Sequence, residues 1–254
     1  MIGCIIQARM GSTRLPGKIL KKVDKDIPSL QYTINQLKFS KNIDKIVIAT
    51  TDLTEDDVIE TFAKKQNLDY FRGNAENVLD RYYQCAKKFG FDCIVRITAD
   101  CPLIDPFITD QVIQVFIDSG CDYVPNVFPR TFPDGLETEV IRFSSLEIAW
   151  KNAKLPSEKE HVTSYFKNNK EKFRIKNVEN DVNLSDLRWT LDYEEDLRLI
   201  REIIKKIKKN PIQMKDVLEL FAREPNLLQI NKNHAPNEGY QKSLEEDKKF
   251  LDKK

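Results

Sequence analysis

The sequence predicts an α/β fold: a mainly parallel sheet with helices on both faces. Three observations predict it. Short β-branched runs alternate with stretches of helical periodicity. A loop rich in glycine and cations follows the first run directly. Two aspartates, Asp100 and Asp192, stand just past apolar runs. Ligands of such folds sit at the carboxyl ends of strands, so loop and aspartates share one edge.

The elements follow in order. Ile2 to Ile6 is a short buried strand. Ser29 to Phe39 has helical spacing, and Lys45 to Thr50 (K-I-V-I-A-T) is a second buried strand. Thr54 caps a helix from Glu55 to Gln66, with acidic residues in its first turn as the helix dipole favours. Leu68 to Arg72 is a strand ending at Gly73. Glu76 to Phe89 is a helix stopped by Gly90. Asp92 to Thr98 is a strand, and Asp105-Pro106 opens a helix through Phe116. Tyr123 and Val124 begin another strand. Pro125 to Gly135 holds three prolines and breaks the rhythm. Leu136 to Phe143 alternates as a strand does, and helices are expected at Ser145 to Asn152 and Glu158 to Asn168. Phe173 to Val178 and Leu187 to Leu191 read as strands. Glu194 to Lys208 and Gln213 to Phe221 read as helices. This makes one domain over 1–230, with a lid or acceptor subdomain at about 125–170. From Asn231 to 254 the chain is polar, a tail draped on the surface or partly disordered.

Composition excludes several classes. The 254 residues are 41% hydrophobic and 32% charged, with a formal net charge of +1, so no global field favours nucleic acid or a membrane surface. The five cysteines, Cys4, Cys85, Cys93, Cys101 and Cys121, show no C-x-x-C spacing, which leaves zinc and dithiol motifs out. The first apolar run is too short for a signal-peptide core and lacks a basic lead-in, and no stretch approaches a membrane span. A reducing cytoplasm is the expectation.

The loop carries the chemistry. Gln7 to Leu20 reads Q-A-R-M-G-S-T-R-L-P-G-K-I-L. Gly11 and Gly17 can take positive φ, and Ser12 and Thr13 can hydrogen-bond locally. Arg9, Arg14 and Lys18 supply three cations. Backbone N–H groups and cations aimed at one point suit a polyphosphate. This is not the Walker pattern, because Ile19 follows the lysine. The other reading is a basic surface turn. A polyphosphate beside Asp100 and Asp192 would be repelled unless Mg²⁺ bridged them. Each aspartate can equally cap the turn or helix that follows, and Arg96 can be half of a structural ion pair.

Several motifs then resemble one family. Q-A-R-M-G-S-T-R-L-P-G-K, F-R-G-N-A-E-N-V-L-D-R-Y-Y and V-R-I-T-A-D-C-P-L-I-D-P resemble the cytidylyltransferase superfamily, which includes the synthetases that couple CMP to 3-deoxy-manno-octulosonate and acylneuraminate. P-R-T-F-P-D-G-L-E-T-E-V, S-E-K-E-H-V-T, L-R-W-T-L-D and N-E-G-Y-Q-K-S-L point to the branch named after spore coat polysaccharide biosynthesis protein F. The resemblance implies a Rossmann-like nucleotidyltransferase fold of three layers. It also implies a CTP and Mg²⁺ reaction in which an acceptor oxyanion attacks the α-phosphorus and pyrophosphate leaves. By the same resemblance, Arg9, Arg14 and Lys18 bind the triphosphate, and Gln7, Ala8, Gly11 and Ser12 join them in the nucleotide site. Arg14, Lys18 and Asp100 carry catalysis, and Asp100 with Asp192 holds the metal. Cytosine is read around Arg72 to Arg81, with Arg72, Asp80 and Arg81 as the named residues; their other reading is a helix start with a charge pair.

The acceptor side rests on weaker patterns. Arg130 and Arg188 suit an acceptor carboxylate, because guanidinium binds it bidentately. Asp134, Glu137 and Glu139 suit acceptor hydroxyls or an amine, or form the solvated face of a hairpin. His161 sits on a helix that either faces the cleft or packs away from it; His234 has no assigned role. The partners expected are CTP and a small acidic acceptor, a sugar acid, phosphate or phosphonate, within surface polysaccharide assembly. A homodimer is expected only by analogy with the superfamily. Two other readings stay open: a glycosyltransferase using a nucleotide sugar, and a non-catalytic nucleotide-binding protein. The first would want a D-x-D motif, and only Asp100 stands before Cys101.

Overall fold

Strand β1 (Ile2–Gln7) is buried along its middle four residues, which places it inside the sheet. It pairs in parallel with β4 (Lys45–Thr51) on one side and with β6 (Cys93–Thr98) on the other. β4 in turn pairs in parallel with β5 (Asp69–Gly73). The far side of β6 is taken by β8 (Glu139–Arg142), antiparallel to β6 and to the edge strand β7 (Tyr123–Pro125). The sheet order is therefore β5-β4-β1-β6-β8-β7, and a small hairpin of β2 (Lys22–Asp24) and β3 (Ile27–Pro28) stands apart. The computed structural model describes residues 1–234 and 238–252.

Alternate residues of each strand face opposite sides, and this divides the core in two. Cys4, Ile6, Ile48, Val95 and Ile97 pack against α1 (Ser29–Leu37), α4 (Pro106–Ser119), α8 (Glu194–Ile207) and α9 (Met214–Arg223). Ile5, Val47, Ala49 and Ile94 pack against α3 (Val78–Phe89) and α5 (Phe143–Asn152) on the other face. Helix α2 (Asp57–Lys65) follows β4. The three-layer α/β fold is thus present. Asp105 caps α4 as expected, its carboxylate accepting from the Phe107 and Ile108 N–H groups with Pro106 in the first turn.

Three expected elements differ. Phe173 to Val178 and Leu187 to Leu191 are not strands; each makes one isolated bridge, Ile175 to Tyr123 and Arg188 to Asp134. The reason is position. β8 closes the free side of β6, so the backbone of the second segment bonds to loops instead: Trp189 N–H to the Asp134 carbonyl and Leu191 N–H to the Asp100 carbonyl, both at 2.8 Å. The helix expected from Glu158 to Asn168 is two short ones, α6 (Pro156–Glu160) and α7 (Ser164–Asn168), because Val162 takes φ 57° between them. The stretch from 125 to 170 gives β8 to the main sheet and its helices to one face. The polar segment from Asn231 contains a helix, α10 (Glu238–Leu251), fixed to α6 by Asp247, which accepts from the Ser157 N–H at 2.9 Å and its hydroxyl at 2.5 Å.

Gly135 holds the 126–138 loop against the 187–192 segment. Its φ is +110°, and a Cβ there would stand 2.8 Å from the Thr190 nitrogen and 2.9 Å from the Trp189 carbonyl carbon. Gly135→Ala is expected to lower stability by about 1–3 kcal/mol, the cost of a disallowed backbone conformation; chemical denaturation measures it.

Candidate active site

The loop after β1 folds back across the carboxyl edge of the sheet. Ala8 extends the ladder by one bond, its N–H donating to the Ala49 carbonyl at 3.0 Å. The Met10 N–H then donates to the buried Asp56 carboxylate at 2.6 Å. The Met10 carbonyl accepts from the N–H groups of Ser12 (2.9 Å) and Gly17 (3.2 Å), and Gly17 takes φ 66° to make that turn. Leu15 is buried and pins the loop down. The loop is therefore a fixed structure and not a free surface turn.

Its cations converge on the two aspartates. Lys18 Nζ donates to Asp100 Oδ2 at 2.6 Å and to Asp192 Oδ1 at 2.7 Å. Arg14 Nη2 donates to the same Asp192 oxygen at 2.5 Å. Burial works against the charge of Asp100, but Lys18 beside it holds its pKa down at about 2. Asp192 is not the cap of α8. Tyr193 is the N-cap, and Asp196 in the first turn reaches back to accept from the N–H groups of Asp192 (2.9 Å) and Tyr193 (3.0 Å), which leaves the Asp192 carboxylate for the loop. Asp100 leaves β6 directly, whereas Asp192 reaches the same place from a loop. The backbone bond from Leu191 to Asp100 sets the two side by side.

A cavity of about 570 Å³ opens over this centre, large enough for a nucleotide. Gln7, Arg9, Gly11, Ser12, Arg14, Lys18 and Asp100 line it, as expected of the loop and its partner. Ala8 is buried beneath. His161 also lines it, brought there by the break between α6 and α7. Sequence reasoning missed Arg96, Thr98, Glu160, Ser243 and Glu246 as lining residues. Arg96 had a signal, a charge inside the apolar run I-V-R-I-T. Ser243 lay in the N-E-G-Y-Q-K-S-L motif but in a segment read as a tail, and Glu246 had no signal.

The other expected residues stand outside the lining, and Asp192 among them reaches the centre only through its bonds to Lys18 and Arg14. Arg72 is spent on the helix behind it, with Nη1 on Asp57 (2.5 Å) and Glu60 (2.9 Å) and its other donors on the Thr51 and Leu53 carbonyls. Asp80 accepts from Gln84 and Trp150. Arg81 is fully buried within α3; Nη1 donates to the Asn74 carbonyl, while Nε and Nη2 have no partner among the described residues. Burial lowers its pKa. The acceptor set is likewise bound to itself. Arg130 pairs with Glu137 and, at 3.2 Å, with Asp134. Arg188 pairs with Asp134 (2.6 Å), Asp192 (2.9 Å) and Asp196 (3.1 Å). Burial, with Glu137 nearby, raises Asp134 to about 8. Through Arg188 these groups are tied to Asp192, and none of the four lines the cavity. Glu139 is buried under Arg96, whose Nη1 it accepts at 2.5 Å, and it also accepts from the hydroxyls of Tyr123 and Thr163.

A doubly covered parallel sheet with a cationic loop and paired carboxylates at its carboxyl edge defines a nucleotidyltransferase. Comparison with known proteins gives the family. A family model described as cytidylyltransferase matches residues 3–246, and the chain belongs to that family. It is 34% identical to the spore coat polysaccharide biosynthesis protein SpsF of Bacillus subtilis over 229 residues, 87% of this chain and 94% of that one. An 8-amino-3,8-dideoxy-manno-octulosonate cytidylyltransferase of Shewanella loihica is 31% identical over 115 residues, 44% of this chain and 46% of that one. Among solved structures, a cytidylyltransferase from Leptospira borgpetersenii superposes with a TM-score of 0.86 at 36% identity, over 92% of this chain and 98% of that one. A CMP:2-keto-3-deoxy-manno-octonic acid synthetase complexed with CTP has a TM-score of 0.61 at 16% identity, over 81% and 98%, a likeness of fold.

Arg188 separates bracing from ligand binding. Its removal leaves Asp134, Asp192 and fully buried Asp196 without their shared cation. Arg188→Ala is expected to cost about 3–5 kcal/mol of stability, as for a broken buried pair. A variant with wild-type stability and only a raised acceptor KM would return Arg188 to the acceptor site.

Proposed function

We propose that this enzyme transfers CMP from CTP to a small acidic acceptor, with Mg²⁺, releasing pyrophosphate. The observation that carries the reading is one ammonium, Lys18, held by two carboxylates from separate segments beside three further loop groups, Arg9, Arg14 and Ser12. A nucleotide triphosphate brings about three to four negative charges, and these cations answer them. Among the described residues no group of three or more His, Cys, Asp or Glu side chains could hold a metal. Two hard carboxylates on one cation are enough for Mg²⁺, which takes one or two carboxylates and completes its shell with phosphates and water. Asp100 and Asp192 would hold it, and it would neutralise triphosphate charge and polarise the α-phosphate.

The protein's own part is positioning and charge. Loop N–H groups and Arg9 orient the triphosphate. Lys18 keeps the two carboxylates close before nucleotide arrives and donates to phosphate oxygens afterwards. Arg14 holds Asp192 and faces the leaving pyrophosphate. An acidic acceptor oxygen is already nucleophilic, so no covalent enzyme intermediate is needed, and rate comes from alignment and electrostatic stabilisation. The names of relatives support the acceptor class: SpsF is a polysaccharide biosynthesis protein, and the Shewanella enzyme is named for an octulosonate. Surface polysaccharide assembly is the setting proposed. A cytoplasmic location fits five free, buried cysteines, and no helix among the described residues is long and apolar enough to cross a membrane.

Pyrophosphate release from CTP with acidic acceptors tests the reading. Lys18→Ala is expected to lower kcat about 10²–10³-fold, the scale of one lost charge-stabilising donor, and Asp100→Asn to remove the stimulation by Mg²⁺. Release from UTP-sugars and none from CTP would favour the glycosyltransferase; CTP binding without release would favour the non-catalytic protein.

A further inference from the structure

The cavity has two ends of different chemistry. The phosphate loop makes one end. The other is made by Arg96 on β6, by Glu160 and His161 at the end of α6, and by Ser243 and Glu246 on α10. Helix α10 is built unusually for a packed surface helix. Among its described side chains the two buried ones are polar: Ser243 and Asp247 are 2% and 7% exposed, while Leu244 is half-buried and Leu251 is 58% exposed. Residues three and four apart share a helix face, so Ser243, Glu246 and Asp247 belong together. A helix docked for stability alone would bury its leucines. This one buries hydrogen-bonding groups next to the cavity.

Those groups are ordered. The Ser243 hydroxyl donates to Glu160 Oε2 at 2.6 Å, so its oxygen takes the His161 Nε2 proton at 2.8 Å. Asp247 clamps α10 to the start of α6 from outside the cavity. On the floor, Arg96 gives Nη1 to Glu139, but its Nε has no partner among the described residues, and neither has the buried Gln7 Oε1 at the end of the neighbouring strand. Gln7 and Thr98 are paired in register, so these groups share one side of the sheet. The floor thus offers an N–H donor of an arginine that is ion-paired to Glu139, and the wall offers carboxylates.

Resting on the cytidylyl-transfer reading above, we propose that the polar face of α10, with Glu160, His161 and Arg96, is the acceptor subsite. It takes an organic acid that also carries hydrogen-bond donors, hydroxyl or amine. The acid group lies against Arg96, and the donors go to Glu160 and Glu246. The acceptor's identity is therefore read partly by the C-terminal helix, and not by Arg130, Asp134, Glu137 and Arg188, which do not line the cavity.

Thermal unfolding of the full chain tests this with CTP and Mg²⁺, then with 3-deoxy-manno-octulosonate and its 8-amino derivative as probes. The variants are Glu246→Ala, which removes a wall carboxylate, and Asp247→Ala, which loosens α10 without touching the cavity. Both are expected to keep the wild-type shift with CTP, to lose the shift with the acids, and to raise the acid's KM about tenfold, with kcat changed far less. Preference for the amino acid assigns the amine as the donor; equal response assigns the hydroxyls. Wild-type acid shifts in both variants overturn the proposal. A wild-type protein that responds to CTP but to neither acid overturns the acceptor class. One that fails to respond to CTP overturns the cytidylyl-transfer reading instead.

Discussion

The site depends on one shared ion pair. Lys18 stands between Asp100 and Asp192, 2.6 and 2.7 Å from them. The two carboxylates are 92 residues apart in sequence and, without a cation, would repel each other. With the lysine between them they are held as a pair, ready for a second cation of higher charge. The lysine itself is nearly enclosed, its side chain 12% exposed, so its charge is little screened.

Around that pair the charges alternate in sign. Arg14 and Arg188 grip the two oxygens of Asp192 from opposite sides. Arg188 continues to Asp134 and Asp196, and Arg130 to Asp134 and Glu137. Such a chain is costly to desolvate and costly to break. It serves to fix the 187–192 segment, which has no sheet partner beyond one bridge. A loop, rather than a strand end, can therefore present a carboxylate as rigidly as β6 presents Asp100.

Much of this was legible in the sequence, and the failures have physical causes. β1, β4 and β6 were legible because each carries a run of apolar, mostly buried residues inside the sheet, whereas the edge strand β5, D-Y-F-R-G, buries none. The loop was legible because glycines, hydroxyls and cations crowd within a dozen positions. Leu187 to Leu191 misled because L-R-W-T-L has strand composition, while its backbone partners lie far away in sequence. That Arg130, Asp134, Glu137 and Arg188 pair with one another was not legible, because a free charge and a paired charge look alike in sequence until their partners are known. Helix α10 was missed because its buried face is polar, and apolar periodicity is the signal by which a docked helix is read. Val162, a β-branched residue at φ 57°, broke the expected α6–α7 helix, and nothing local announced it.

The most direct test of the account is thermal unfolding with CTP, in the presence and absence of Mg²⁺, with ATP as the control nucleotide. A ligand at a hundredfold excess over its dissociation constant stabilises by about 2.7 kcal/mol. A paired-carboxylate centre waiting for a metal–nucleotide complex predicts a large shift with CTP and Mg²⁺, a much smaller one with CTP alone, and little with ATP. Equal shifts with and without Mg²⁺ would contradict it, because the triphosphate would then be meeting Asp100 and Asp192 with no cation between them.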